Sequence, residues 1–282
     1  MNLFDSQDIK NYLRASGLRP KDYFGQNFLI DEQVLGEIVQ AAEISSKDTI
    51  LEVGPGLGVL TTELVKQAKK VLAIEKDSKL IPLLESNLSG HKNLEIKNQD
   101  ILKFNFEKEL TESYKVVSNI PYYLTSHLFR ILLNLKNKPQ SIVFLVQKEV
   151  AERIVAAPGE LSVLGISIQI FGEPEIISVV SKDSFWPTPK VDSAIIRIKT
   201  KNRFPKIEDH KLFFRIVKVA FAGKRKQIHN TLYNGFKIDK KLLEELLLKC
   251  GVSMTNRAQE LSIEQWIKIY QELSKSKIDK SG

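Results

Sequence analysis

Cysteine is nearly missing from this chain of 282 residues: Cys250 stands alone. An internal disulfide is therefore excluded, which fits a reducing compartment and a cytoplasmic protein. Histidine is scarce too, with four residues at 91, 127, 210 and 229, so zinc-ligand spacing is missing and no metal is expected. No run approaches 18 consecutive apolar residues. The longest strand-like run is Ile142-Val143-Phe144-Leu145-Val146, so no membrane helix is expected. Met1 to Lys10 carries Asp5 and Asp8 and lacks the basic-then-apolar order of a secretory signal. Internal repeats, low-complexity tracts and a G-x-x-x-x-G-K-[ST] phosphate loop are absent as well.

What is present is ordinary globular material: 43% apolar and 27% charged residues. A chain of this length buries well over half of its unfolded surface without a disulfide or metal staple. Charge is placed unevenly. Residues 201–282 hold 18 of the 42 Lys and Arg but only 9 of the 34 Asp and Glu. The excess of +8 thus lies entirely in the last part of the chain. A neutral body with a basic annex suits a catalytic unit joined to a polyanion-docking unit; a Lys-rich solvated surface is the plainer alternative.

From Thr49 onward, β-rich runs alternate with amphipathic stretches. Strands are expected at Thr49–Val53, Val71–Glu75, Leu94–Lys97, Lys115–Ser118 and Ile142–Gln147. Helices are expected at Leu60–Lys69, Lys79–Leu88 and Ser126–Leu135. This is the pattern of βαβ units in a parallel sheet. Helical stretches Lys148–Ala156 and Leu161–Ile170 precede β-branched runs Ile176–Ser181 and Val191–Lys199, expected as an antiparallel hairpin closing the sheet. The remainder reads as helical, at Leu212–Phe221, Lys240–Lys249 and Ile263–Leu273.

The sharpest motif is Glu52-Val53-Gly54-Pro55-Gly56-Leu57-Gly58, between a strand and a helix. The glycines permit a tight turn and a close approach to a ligand. Val59 stands where a dinucleotide fold places its third glycine, which disfavours a nicotinamide oxidoreductase and favours a nucleoside with a compact tail. Glu75 ends the next strand, where a carboxylate can accept both ribose hydroxyls. Asp100 follows the third strand and can accept from an adenine amine or cap a turn. Asn119-Ile120-Pro121-Tyr122 follows the fourth. Its amide oxygen and the Ile120 carbonyl are two acceptors for the N–H groups of an adenine amine, freeing the delocalised lone pair. Pro121 fixes the backbone, and Tyr122 offers a face for an extruded base. An Asn-x-Pro turn with packed tyrosines is the structural alternative. Phe185-Trp186-Pro187-Thr188-Pro189 could present Phe185 from the opposite side or anchor a core. Phe24-Gly25-Gln26-Asn27-Phe28-Leu29 sets two amides between aromatics that could cover a bound ligand, but on composition it reads better as a loop approaching a helix. Lys224-Arg225-Lys226 places three cations at a helix end, suited to phosphate or to the helix dipole.

Leu51 to Gly58 resembles the first motif of class I S-adenosylmethionine-dependent methyltransferases. Gly25-Gln26-Asn27-Phe28-Leu29, Asn119-Ile120-Pro121-Tyr122, Phe185 through Ser193 and Lys224-Arg225-Lys226 resemble the ribosomal RNA adenine dimethyltransferases, from about Gly17 to Leu273. Pro189-Lys190-Val191-Asp192-Ser193 and Arg257 through Ser262 resemble the small-subunit branch more than the large-subunit enzymes. The resemblance implies an α/β fold: a Rossmann-like, mostly parallel seven-stranded sheet in residues 1–200, and a helical, basic RNA-docking domain in residues 201–282. It implies S-adenosylmethionine contacts at Gln26, Asn27, Leu29, Glu52, Gly54, Gly56, Gly58, Glu75, Lys76, Asp100, Ile101 and Asn119. Catalytic contacts would come from Asn119, Ile120, Pro121, Tyr122 and Phe185, and RNA contacts from Lys224, Arg225 and Lys226. The implied activity is N6-dimethylation of two adjacent adenosines near the 3′ end of 16S rRNA, by a monomer acting on an immature small subunit. A non-catalytic RNA-binding assembly factor and a large-subunit methyltransferase are the alternatives.

Overall fold

In the computed structural model, residues 2–21, 25–201, 207–223 and 225–275 are described. The first part of the chain forms α1 (Ser6–Ala15), β1 (Phe28–Leu29), α2 (Glu32–Ala42), β2 (Thr49–Val53), α3 (Val59–Gln67), β3 (Lys70–Glu75), α4 (Ile81–Asn87) and β4 (Leu94–Asn98). Next come α5 (Phe106–Glu109), β5 (Tyr114–Asn119), α6 (Thr125–Asn134), β6 (Ser141–Gln147), α7 (Lys148–Val155) and α8 (Val163–Gln169). β7 (Gly172–Val180), β8 (Phe185–Trp186) and β9 (Ser193–Thr200) follow, then α9 (His210–Ala220), α10 (Ile228–Phe236), α11 (Lys240–Lys249) and α12 (Ile263–Lys275).

Seven strands make one mixed sheet in the order β4-β3-β2-β5-β6-β9-β7. β2 pairs in parallel with β3 and β5; β3 with β4 and β5 with β6 pair likewise. Strands with near-continuous apolar sequence need cover on both faces. On one face, Leu35 and Ile38 of α2 and Leu60 and Leu64 of α3 pack on Ile50, Val71, Val117, Val143 and Ile195. On the other, Phe129 of α6 meets Phe144 at 5.1 Å between ring centroids. Each fully buried Leu or Ile contributes roughly 1.5–3 kcal/mol of burial. The two late strands lie side by side and close the sheet as expected, with the second of them inside: β9 runs antiparallel against β6 and sits between β6 and β7.

The chain divides into two compact units, Met1–Ala151 with Pro174–Thr200, and Glu152–Glu173 with Lys201–Gly282. The break at 200/201 coincides with the end of the charge-neutral region. Glu152–Glu173, expected within the catalytic part, groups with the C-terminal helices: Gly159 N and Leu161 N both donate to Gln259 O. In that second unit α10 was not foreseen. Asn230, Asn234 and Gly235 weaken its local helical signal. Gly235 is what allows the helix to dock: a Cβ there would stand 2.2 Å from Val219 Cγ1 of α9.

In the first unit, Gly58 starts α3 at φ +91°, and a Cβ on it would meet Leu84 Cδ1 at 3.0 Å. Gly58→Ala is expected to lose about 1–3 kcal/mol through left-handed strain. Gly36→Ala, in open space on α2, is expected to gain roughly 0.5–1 kcal/mol. Thermal melts of the two variants check this; equal melting temperatures would refute it.

Candidate active site

All four strands β2, β3, β4 and β5 point the same way, so their carboxyl ends share a rim. Strand order reverses between β2 and β5, and such a switch point opens a crevice above the sheet. Two hydrogen bonds tie the rim together. Val53 N donates to Ser118 Oγ at 2.7 Å, and Gly54 N to Ile74 O at 2.9 Å. Above them lies a cavity with about 920 Å³ of empty space, part of it open to solvent.

Gln26, Asn27, Leu29, Glu52, Gly54, Gly56, Glu75, Lys76, Asp100, Ile101 and Asn119 all line this cavity, as does Pro121. Gly58 is not among the lining residues; its place is the packed start of α3 against α4. At Gly56, φ is +60° and a Cβ would meet Phe28 Cε1 at 3.3 Å, so the turn leaves its main chain facing the cavity. Gly56 N donates to Glu75 Oε2 at 3.2 Å, and Asp77 N to Glu75 Oε1 at 2.7 Å. Burial pushes the Glu75 pKa above its ordinary value, although these N–H groups work against the rise. Each of its oxygens keeps a second lone pair for a ligand hydroxyl.

Asp100 caps the short 3₁₀ turn after β4, accepting from Leu102 N at 3.0 Å, and pairs with Lys76 Nζ at 2.9 Å. Burial opposes its ionisation, but the Lys76 ammonium and the Leu102 N–H outweigh it and hold its pKa below the usual value. Gln26 acts as a strut rather than an open donor. Its Nε2 donates to Asp77 Oδ2 at 3.1 Å, while its Oε1 accepts from Lys21 N at 2.8 Å. Asp77, which the sequence reading passed over, also takes Lys21 Nζ at 2.7 Å. A third acid close behind Glu75 on the same rim was its only signal.

Asn119 is oriented by its own amide: Nδ2 donates to Asn27 O at 3.2 Å. Among the described residues none donates to Oδ1, which remains an acceptor at the cavity wall. Ile120 has a buried side chain. The ring of Tyr122 lies outside this cavity, and its hydroxyl is 2.7 Å from Ser193 Oγ. Its neighbour Tyr123 lines the cavity instead. Phe185, foreseen as a possible clamp on a base, is 1% exposed. β8 pairs it with Leu29 of β1, and it is a core residue. Arg225 and Lys226 are exposed in the turn between α9 and α10; Lys224 and Phe24 lie outside the described residues.

Glu52 is 1% exposed and lines the cavity, and its Oε2 has no partner among the described residues. Burial, with the nearby Glu75 charge, pushes its pKa up to about 8 against a weaker pull from Thr61. A neutral acid with an unused oxygen therefore faces the cavity at neutral pH.

Residues 17–275 match the family described as ribosomal RNA adenine dimethylase. A protein of Dehalococcoides mccartyi named ribosomal RNA small subunit methyltransferase A is 41% identical over 263 residues, covering 92% of this chain and 90% of the relative. One of the same name from Bacillus mycoides is 39% identical over 269 residues, covering 91% and 92%. Among solved structures, a dimethyladenosine transferase of Plasmodium falciparum aligns with TM-score 0.79 at 28% identity, covering 89% of this chain and 98% of its own. The 23S rRNA methyltransferase ErmE aligns with TM-score 0.73 at 30% identity, covering 88% and 100%.

The protonated Glu52 has a measurable consequence. Below its ordinary value of 4.5, folded and unfolded chains both hold the proton. Between there and about 8 only the folded chain does, so this group's contribution to stability falls as pH rises and levels off above about 8. Glu52→Gln removes that dependence. Its melting temperature relative to the wild type is expected to be higher at pH 8.5 than at pH 5; a constant difference would count against a protonated Glu52.

Proposed function

This chain belongs to the ribosomal RNA adenine dimethylase family, and on that premise we propose that it methylates the N6 amines of two adjacent adenosines near the 3′ end of 16S rRNA. The methyl donor in this reading is S-adenosylmethionine and the substrate an immature small ribosomal subunit. The observation that carries the reading is the Asn119 amide. It is clamped through Nδ2 to the Asn27 carbonyl, and Asn119 lines the same cavity as the glycine turn.

The residues present fit the donor. A main-chain turn whose Gly56 leaves no room for a side chain gives a nucleoside close approach. Glu75 offers lone pairs to ribose hydroxyls and Asp100 to the adenine amine. The orphan oxygen of Glu52 is a buried polar atom awaiting a ligand. When bound, S-adenosylmethionine supplies an electrophilic methyl on a sulfonium, which departs as a neutral thioether.

The chain's own work is orientation. An adenine amine donates its lone pair to the ring and is a poor nucleophile. With one N–H held by Asn119 Oδ1 and the other by the Ile120 carbonyl, that nitrogen becomes tetrahedral and its lone pair points outward. Asn119 is no base, so the surplus proton leaves the nitrogen for solvent water once the new C–N bond has formed, and the acceleration comes from positioning and from bonds that strengthen in the transition state. Tyr122, fixed through Ser193, supplies a stacking face for the extruded base. Phe185 supports that arrangement from the core rather than as an open platform. Arg225 and Lys226, with Lys224, would hold phosphates, consistent with the charge excess of residues 201–282. The protein would act as a monomer in the cytoplasm; no described helix is long and apolar enough to cross a membrane.

The test is methyl transfer from S-adenosylmethionine to small subunits lacking the mark, with modified adenosines mapped by mass spectrometry. Asn119→Ala is expected to lower the rate roughly 10²–10³-fold. Methylation of large-subunit RNA alone would refute the assignment.

A further inference from the structure

Two tyrosines follow Pro121, and the chain sends them to different places. They lie in a 3₁₀ turn, Tyr122–Leu124, where successive side chains are about 120° apart. Tyr122 is tied through its hydroxyl to Ser193 Oγ and is not among the residues lining the cavity. Tyr123 is turned into the cavity wall and remains 49% exposed. Nothing in the acceptor chemistry of Asn119 and Ile120 calls for this second aromatic.

Its surroundings mark which end of the cavity it serves. A Cβ placed on Gly25 would stand 3.7 Å from Tyr123 Cδ1, so the ring lies beside the segment that carries Gln26 and Asn27. Burial is the main influence raising the phenol pKa, and the charges that act on it are Lys76, Asp100 and Glu75. Those three residues line the cavity at the ends of β3 and β4, the side where a nucleoside would be held.

We propose that Tyr123 is the outer wall of the adenosine end of the cavity, its ring covering the bound nucleoside, so that the adjacent tyrosines divide between them the target base and the methyl donor. The proposal rests on the reading of the cavity as an S-adenosylmethionine site. A half-exposed aromatic beside an open pocket gains most of its burial only when a flat ligand lies against it. A base–aromatic contact of this kind is lost on truncation to alanine at a cost of roughly tenfold or more in affinity.

Calorimetric titration of the full-length protein with S-adenosylhomocysteine tests it, using Tyr123→Ala, Tyr123→Phe and Glu75→Ala. Tyr123→Ala is expected to weaken binding about tenfold or more. Tyr123→Phe, which keeps the ring, should stay within about twofold of the wild type. Methylthioadenosine, which lacks the amino-acid tail, should lose affinity by the same factor, since the contact is to the nucleoside. Because Tyr123 is half exposed, the ligand-free melting temperature should barely move. Unchanged binding by Tyr123→Ala alongside a clear loss in Glu75→Ala overturns the Tyr123 assignment alone. If the wild type binds neither ligand, the cavity reading itself fails and this proposal with it.

Discussion

Three main-chain donors at the end of β2 hold the site together. Val53 N reaches Ser118 on β5, Gly54 N reaches Ile74 on β3, and Gly56 N reaches the Glu75 carboxylate. The central strand is thereby pinned to both neighbours at the level where the sheet stops and the crevice begins. Because these bonds link β2 to both neighbours, the positions of Glu75, Asn119 and the glycine turn are coupled. One cannot shift without leaving an unpaired donor or acceptor, which is costly in a dry interior. A site whose chemistry is orientation depends on that stiffness more than on any single reactive group.

The same rim concentrates acids. Glu52, Glu75 and Asp77 are all buried or nearly so, and their pKa values diverge with their surroundings. For Glu52, burial and the neighbouring Glu75 charge outweigh the Thr61 hydroxyl, so it is driven upward. Asp77 also pays for burial, yet Lys21 and Gln26 more than compensate and it stays low. Such clustering is destabilising in isolation and is characteristic of binding sites. Here the low-pKa acid anchors Lys21 and Gln26, and the high-pKa acid leaves an oxygen unused.

A second, smaller ladder completes the wall. β1 and β8 pair Phe28 with Trp186 and Leu29 with Phe185. Ile30 N donates to Ser184 O, and Ser184 Oγ to Asp31 Oδ2. Two aromatic motifs far apart in the chain are thus stitched together beside the cavity. This pairing makes Phe185 a core residue and sets Phe28 against Gly56. It also ties the start of α2 to the wall, since Asp31 caps that helix while accepting from Ser184.

Much of this was legible from local pattern. The five parallel strands, most of their covering helices and the turn glycines follow from hydrophobic period and backbone sterics, which act over a few residues. That Glu52, Gly54, Glu75, Asp100 and Asn119 share one wall was legible too, because residues at the carboxyl ends of parallel strands must share one rim; Gln26, Asn27 and Leu29 were assigned to it only by the family resemblance. Local pattern missed α10, whose poor helix formers are overruled by close packing on α9 through Gly235. It did not show that Gly58 packs against α4, that Gln26 is a strut held by Asp77, or that Tyr123 rather than Tyr122 enters the cavity. It did not place residues 152–173 with the C-terminal helices. Each of those outcomes is decided by contacts between segments distant in the chain. The amino-acid order determined which strands and turns could form and what chemistry their ends would carry. Only tertiary packing decided which side chains face the ligand and which are consumed in holding the wall, because orientation about a turn and pairing across the sheet depend on neighbours that no local window contains.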